Sequence, residues 1–456
     1  MRKDAPIATE AKGTWLAQRI VAFALLLGLC SWHLDTGHNA NTISRAAMVL
    51  SIVQDHSLCI DPYEHLTADK AVVNNRYYSE KAPLPALLVV PAWYVLFKFH
   101  LVEAAAPGYI PDALLRTGGF LCGSLPLAII MVLCFHRLRN SLLPVPRMWL
   151  ATLPFIGSFL YVYSGSFQGH LLAALFLLLA WRTRAKGNAL LSGMFASAAV
   201  LCEYSLFVFP LVWLGQDLLR RRWTSAAAQV FGGLPGLFLL GTMNMLVTGS
   251  PLQLPYMNVA EHVDRSGGFL GLGMPDVHAL HGLLFSTYRG LFTHAPVAIL
   301  CAIVALGWLR RSTVRTALLH PLVLPTAMLV LMIAGHSMWW GGWAYGPRHL
   351  TSIAVLLLVA VLPRLPDRPW ADASFYYLSA WGVVVALTAK STTWYSLPTE
   401  VHEPFTEVVL PTFLQRTHTE SQWPVDVGFS PFMGSALFFV ALFLYLRWVR
   451  NRSIFD

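Results

Sequence analysis

Charge is what this sequence has least of. Asp, Glu, Lys and Arg together make up 12% of 456 residues, about half the share usual in soluble globular chains. A soluble surface cannot be covered with so few charges when 56% of the residues are apolar. Cysteine is also sparse: of the six, only Cys59 stands in a clearly polar stretch, which argues against a disulfide framework or a thiolate metal site. Internal repeats, low-complexity tracts and any stretch that would mark off a soluble domain are absent. So is a small-x-small cleavage motif after the first apolar run, at about 14 to 32. Leu29 precedes Cys30 where lipoprotein processing wants a small residue, so this run reads as a retained first span rather than a signal.

What is present is long apolar sequence. Runs such as 226–247 and 318–335 are long enough to cross a hydrocarbon layer of roughly 30 Å, which takes about 20 helical residues. The fold class predicted is an all-α polytopic membrane protein of about 12–14 transmembrane helices, forming a single domain over 1–456. The net charge of +9 by itself would suit nucleic acid, but its distribution points to membrane orientation instead, and no nucleic-acid partner is expected. The basic residues gather in short loops: Arg137, Arg139 and Arg147; Arg182, Arg184 and Lys186; Arg220 to Arg222; Arg310, Arg311 and Arg315; Arg364 and Arg368; Arg447, Arg450 and Arg452. Such loops face the cytoplasm. The threading puts both termini inside, with outer loops at about 33–82, 164–168, 248–290, 338–348 and 390–431.

Two stretches strain a simple threading. Residues 187–216 carry basic clusters at both ends and should therefore go out and back as two short helices meeting near Glu203 and Tyr204. Residues 83–116 should make no net crossing, as a re-entrant segment or a short pair, with Pro83, Pro85 and Pro91 breaking any ordinary helix. Counting that pair as crossings gives 14, and leaving it out gives 12.

Polar residues concentrate in the first outer loop. Within it, residues 43–53 (ISRAAMVLSIV) have helical apolar spacing but are too short to span, which predicts an amphipathic helix lying on the outer membrane surface. Acids (Asp35, Asp55, Asp61, Glu64, Asp69) alternate around it with bases (Arg45, Lys70, Arg76, Lys81); taken singly, each reads equally well as part of a solvated loop. A second polar cluster is SMWWGGWAYGPRHL, residues 337–350. Its three tryptophans fit an aromatic belt at a membrane surface, whereas Arg348, beside His349 at the mouth of a helix, suits a phosphate or carboxylate. A third cluster, residues 267–296, adds Arg289. His278 and His281 there have a ligand-like spacing but no third partner, which argues against zinc.

Taken in order, NANTISRAAMVLSIV, CIDPY, TADKA and YYSEKAPLPALLVVP resemble the first outer loop of the GT-C superfamily of membrane glycosyltransferases. There, a first span leads to a juxtamembrane helix, and the loop closes on a Lys-Pro-Pro-type element. LLFSTYRGLF and WWGGWAYGPRHL extend the likeness, to an uncharacterised bacterial branch, over nearly the whole chain. The resemblance implies an inverting transferase in the bacterial inner membrane with its active site on the outer side. Its donor would be a polyprenyl-phosphate sugar, and its acceptor a hydroxyl of a lipid or envelope glycan. Lys81 matches the family lysine that contacts the donor phosphate; Arg348, Arg289, Arg45 and Lys70 are further candidates for phosphate contacts, and Tyr78, His349 and Glu203 further candidates for the substrate site. No cofactor is demanded, and a divalent cation is left open.

The sequence departs from the family at one point that matters. Relatives such as the aminoarabinose transferases and protein O-mannosyltransferases carry an acid just before the juxtamembrane helix, where this chain reads Asn41-Thr42-Ile43-Ser44-Arg45. The base is then Asp35, Asp61 or Asp69, or catalysis has been lost. Two other functions fit a many-span protein with polar loops: a lipid or glycolipid flippase or transporter, and a noncatalytic scaffold with the same fold. The absence of internal repeats and of obvious mid-membrane charges weighs against the transporter.

Overall fold

The computed structural model describes residues 8–259, 271–392, 396–415 and 417–450. Parts of the expected outer loops 248–290 and 390–431, the start of the 267–296 cluster, and Arg452 lie outside the described residues. Helix accounts for 69% of the chain. The longer helices are α1 (Ala8–Cys30), α2 (Ala40–Gln54), α3 (Leu84–Lys98), α4 (Asp112–Arg137), α5 (Arg147–Ile156), α6 (His170–Ala185), α7 (Ala189–Cys202) and α8 (Val208–Leu219). They continue with α9 (Trp223–Thr248), α10 (Val277–Leu284), α11 (Val297–Arg311), α12 (Val323–Ala334), α13 (Thr351–Val361), α14 (Pro369–Thr392) and α15 (Pro431–Val449). A hairpin of β1 (Lys70–Val73) and β2 (Arg76–Ser79) lies between α2 and α3.

Three of these helices, α4, α9 and α15, are long and apolar enough to cross a membrane, with mean hydropathies of 2.2, 1.6 and 1.8. α9 turns Val230, Phe231, Leu234, Leu237, Phe238, Met245 and Leu246 outward, an apolar face that water would not tolerate and acyl chains would cover. Beneath that outer surface the buried apolar side chains form one contiguous core.

The ends of the helices sort by chemistry. His170 opens α6, Glu203 separates α7 from α8, and Arg348 precedes α13. The far ends of the same helices carry Arg182 and Arg184, Arg220, and Arg364. At that basic end Arg184 grips Asp217 through two bonds of 2.9 Å and also donates to Gln229 and to the Trp213 carbonyl. The ends of α6 and α8 and the start of α9 are thereby held together, with α7 packed between α6 and α9. The chain from 187 to 216 does turn at Glu203 and come back.

Two expectations need correcting. α2 does not lie on the surface: twelve of its fifteen residues are buried, Arg45 among them. It is longer than its apolar stripe suggested because Asn39 caps it, accepting from the Asn41 N–H at 3.0 Å. The hairpin, α3 and α4 then enclose it. The prolines do not break α3 either. Pro83 and Pro85 sit at its first turn, where a missing N–H has no carbonyl to lose, and the helix runs through Pro91. Beyond α3 the chain returns to the first loop, where Gln54 bonds both backbone groups of Ala105 and the Gly108 N–H donates to the Pro62 carbonyl.

Candidate functional site

The hairpin builds the site. Its two-residue turn, Asn74-Asn75, has φ of 51° and 58°, the left-handed pair that a tight hairpin needs and that Asn tolerates. The register places Lys70 opposite Ser79, so Asp69 and Glu80 flank the open end of the ladder. Lys81 Nζ then lies 2.8 Å from Asp69 Oδ2 and 2.7 Å from Glu80 Oε1. Ser79 meets Ser44 of α2 at 2.8 Å, and Thr67 donates to the Ala40 carbonyl at 2.7 Å. These bonds fix the hairpin against the start of α2. Tyr78, Ser79 and Lys81 line a small cleft with Met48, Leu58, Met243 and Val247, the last two from α9.

Arg45 joins this group to a second one, since its buried guanidinium feels the charges of both Asp69 and Glu203. Glu203 Oε1 is 2.5 Å from His170 Nδ1 and 3.9 Å from His349 Nδ1. Burial pushes the Glu203 carboxyl up, but His170 and then His349 outweigh it and hold it down, to about 2. Arg348 arrives on a turn that favours glycine. Gly341 has φ +79°, and a Cβ there would stand 2.9 Å from Arg348 Nε. The buried Nε groups of Arg45 and Arg348 make no hydrogen bond. Such groups are rare in folded proteins, and an absent ligand or ion is one of the usual reasons.

The other residues singled out in the sequence are placed elsewhere. Asp35 is buried and held by Lys390 Nζ at 2.7 and 2.9 Å and by Ser166 Oγ at 2.6 Å. Lys390 also donates to the Val162 carbonyl at 2.9 Å. The backbone reaches Asp35 through Gly165, whose carbonyl accepts the Asp35 N–H at 2.9 Å; its φ is +80°, and a Cβ on it would strike the His33 carbonyl oxygen at 1.9 Å. Asp61 pairs with Arg76 at 2.6 Å and accepts the Tyr77 N–H at 2.7 Å, so it braces the hairpin. Lys70 pairs with Glu64 at 2.5 Å and lies over the Tyr77 ring.

Arg289 is fully buried. It donates to the Tyr288, Trp340 and Gly342 carbonyls at 3.1, 3.1 and 3.2 Å, with Tyr288 stacked at 4.0 Å. It therefore clamps the loop that presents Arg348 instead of facing the cleft. His278 and His281 sit on α10, and among the described residues no group of three His, Cys, Asp or Glu side chains could hold a metal ion.

Three participants were missed from sequence: Glu80, His170 and Lys390. Lys390 had a legible signal, a lone lysine ending an apolar run, since charges in such positions generally have buried partners. The hairpin was legible too, as alternating KAVV and RYYS around Asn-Asn. No family model matches this chain, and no curated protein matches it.

Proposed function

We propose that this chain is a GT-C type glycosyltransferase of a bacterial inner membrane. It would cross the bilayer twelve times, counting α1, α4 to α9 and α11 to α15, with both termini inside and the first loop outside. α5 would count together with the short helix that continues it, and the α2–α3 region would make no net crossing. The observation that carries the reading is the pairing of Asp69 with Lys81, which lines the cleft at the open end of the hairpin. One supplies a proton acceptor, the other a cation for a leaving phosphate.

In this reading Asp69, rather than Asp35 or Asp61, is the base, because the other two carboxylates are engaged in bracing contacts. The phosphate of a polyprenyl-phosphate sugar draws Lys81 from Asp69, with Arg45 and Arg348 on its other oxygens, where their unused Nε groups find acceptors. Asp69 takes the proton from the acceptor hydroxyl. The oxygen attacks the anomeric carbon, the bond from that carbon to the phosphate oxygen breaks, and polyprenyl phosphate departs with inversion at the sugar. Charge stabilisation by cations in a site shielded from water is the largest contribution that such a protein can make. The apolar wall of Met48, Leu58, Met243 and Val247 suits the start of the prenyl chain.

The test is a proteoliposome assay with radiolabelled polyprenyl-phosphate sugars and an acceptor lipid extract. Release of polyprenyl phosphate with label on the acceptor supports the reading. Movement of intact donor between leaflets without cleavage would identify a flippase and overturn it.

A further inference from the structure

The basic end of the bundle holds an open cavity of about 330 Å³, lined by Arg220, Arg315, Thr316, Leu319, His320 and Pro321. It lies at the far end of α8, whose twelve residues separate it from Glu203 by roughly 18 Å at 1.5 Å per residue. Arg220 Nη2 donates to the Leu319 carbonyl at 2.9 Å, which uses one of its five donors. Arg315 is exposed, and among the described residues it pairs with no carboxylate. His320 feels the charge of Arg364, and Arg364 and Arg182 in turn repel Arg137. Buried Arg137 Nε makes no hydrogen bond. The contrast is Arg184, two residues beyond Arg182 in sequence, which has Asp217 as its own counter-charge.

This is an excess of guanidinium at one edge of a membrane-crossing bundle, around a cavity of headgroup size. Leu219, Val314 and Leu318 project beside it, 79%, 75% and 47% exposed. A soluble anion would gain nothing from that apolar rim, whereas a lipid would lay its chains along it. We propose that the cavity binds the phosphodiester headgroup of an anionic phospholipid from the inner leaflet, with Arg220 and Arg315 on the phosphate oxygens. Basic pockets between helices on the cytoplasmic side take such headgroups. The inference rests on the chain crossing a membrane and not on glycosyl transfer, so either can fail without the other.

The test is native mass spectrometry of the full chain from micelles containing equal amounts of phosphatidylglycerol and phosphatidylcholine. The wild type should retain phosphatidylglycerol over phosphatidylcholine by about tenfold, and millimolar inorganic phosphate should not displace it. Arg220→Ala/Arg315→Ala should bring the ratio near parity, while Arg139→Ala, outside the cavity, should leave it unchanged. Melting in phosphatidylcholine alone shows whether the double variant is folded; if it is not, the exposed single change Arg315→Glu is read in its place. An unchanged ratio in the folded cavity variant, an equal loss in Arg139→Ala, or displacement by free phosphate would overturn the proposal.

Discussion

Lys81 Nζ lies 2.8 Å from Asp69 Oδ2, and the two residues are neighbours only because a hairpin turned by Asn74 and Asn75 brings its ends together. A twelve-residue separation in sequence becomes an ion pair at the edge of a cleft. The pair separates two roles that substitution can tell apart.

Asp69→Asn keeps shape and removes the proton acceptor. Transfer should fall by about 100-fold or more, the scale of general-base catalysis, while binding of the polyprenyl-phosphate sugar persists. Lys81→Ala should weaken donor binding by about 1.5–3 kcal/mol, the range for a hydrogen bond to a charged group, and Lys81→Arg should recover part of it. Kinetics at varied donor concentration check both. Near wild-type transfer by Asp69→Asn would remove this carboxylate from the chemistry.

Asp35 should behave differently. With Lys390 buried beside it, Asp35→Asn leaves an ammonium without its counter-charge, a change that typically costs about 3–5 kcal/mol. The expected result is a lower melting temperature and lower yield, with transfer per folded molecule retained. The double variant Asp35→Leu/Lys390→Met should regain much of the stability. A normal melting curve for Asp35→Asn together with lost transfer would make Asp35 the base after all.

Glu203 links stability to pH. Its carboxyl is held at about 2, against an ordinary value of 4.5, so the folded state binds its proton less readily than the unfolded state. The resulting stability is fully present above pH 4.5 and is lost as pH falls toward 2. Melting temperatures of the wild type in detergent should therefore fall as pH drops through that window. A wild-type melting temperature that stays level from about pH 4.5 to 2.5 would mean that His170 and His349 do not hold the carboxylate as the distances suggest.

Topology has its own check. The Arg184–Asp217 grip puts the basic clusters 182–186 and 220–222 at one end of the bundle. Cysteines placed at Gly187 and Thr224 should resist a membrane-impermeant thiol reagent applied from outside, and one at Asn258 should react. Labelling at either of the first two positions from outside would invert or dismantle the hairpin of α7 and α8.

The sequence by itself determined the parts that depend on local pattern. Scarce charge and long apolar runs make a helical chain with segments able to cross a membrane, and the basic clusters mark helix ends that the structure does gather together. The turn at Glu203 followed from the same clusters, because two like ends must face one side. Only the tertiary structure decided which polar residues meet. Periodicity showed that α2 has an apolar face but not that a hairpin and two helices would bury its polar face as well. The same holds for the carboxylates: Asp35, Asp61 and Asp69 look alike along the chain, and they are told apart by Lys390, Arg76 and Lys81. Lys390 is 355 residues from Asp35 in sequence. Ion pairs carry no period or spacing by which sequence could announce them, so the choice among the acids was made by packing.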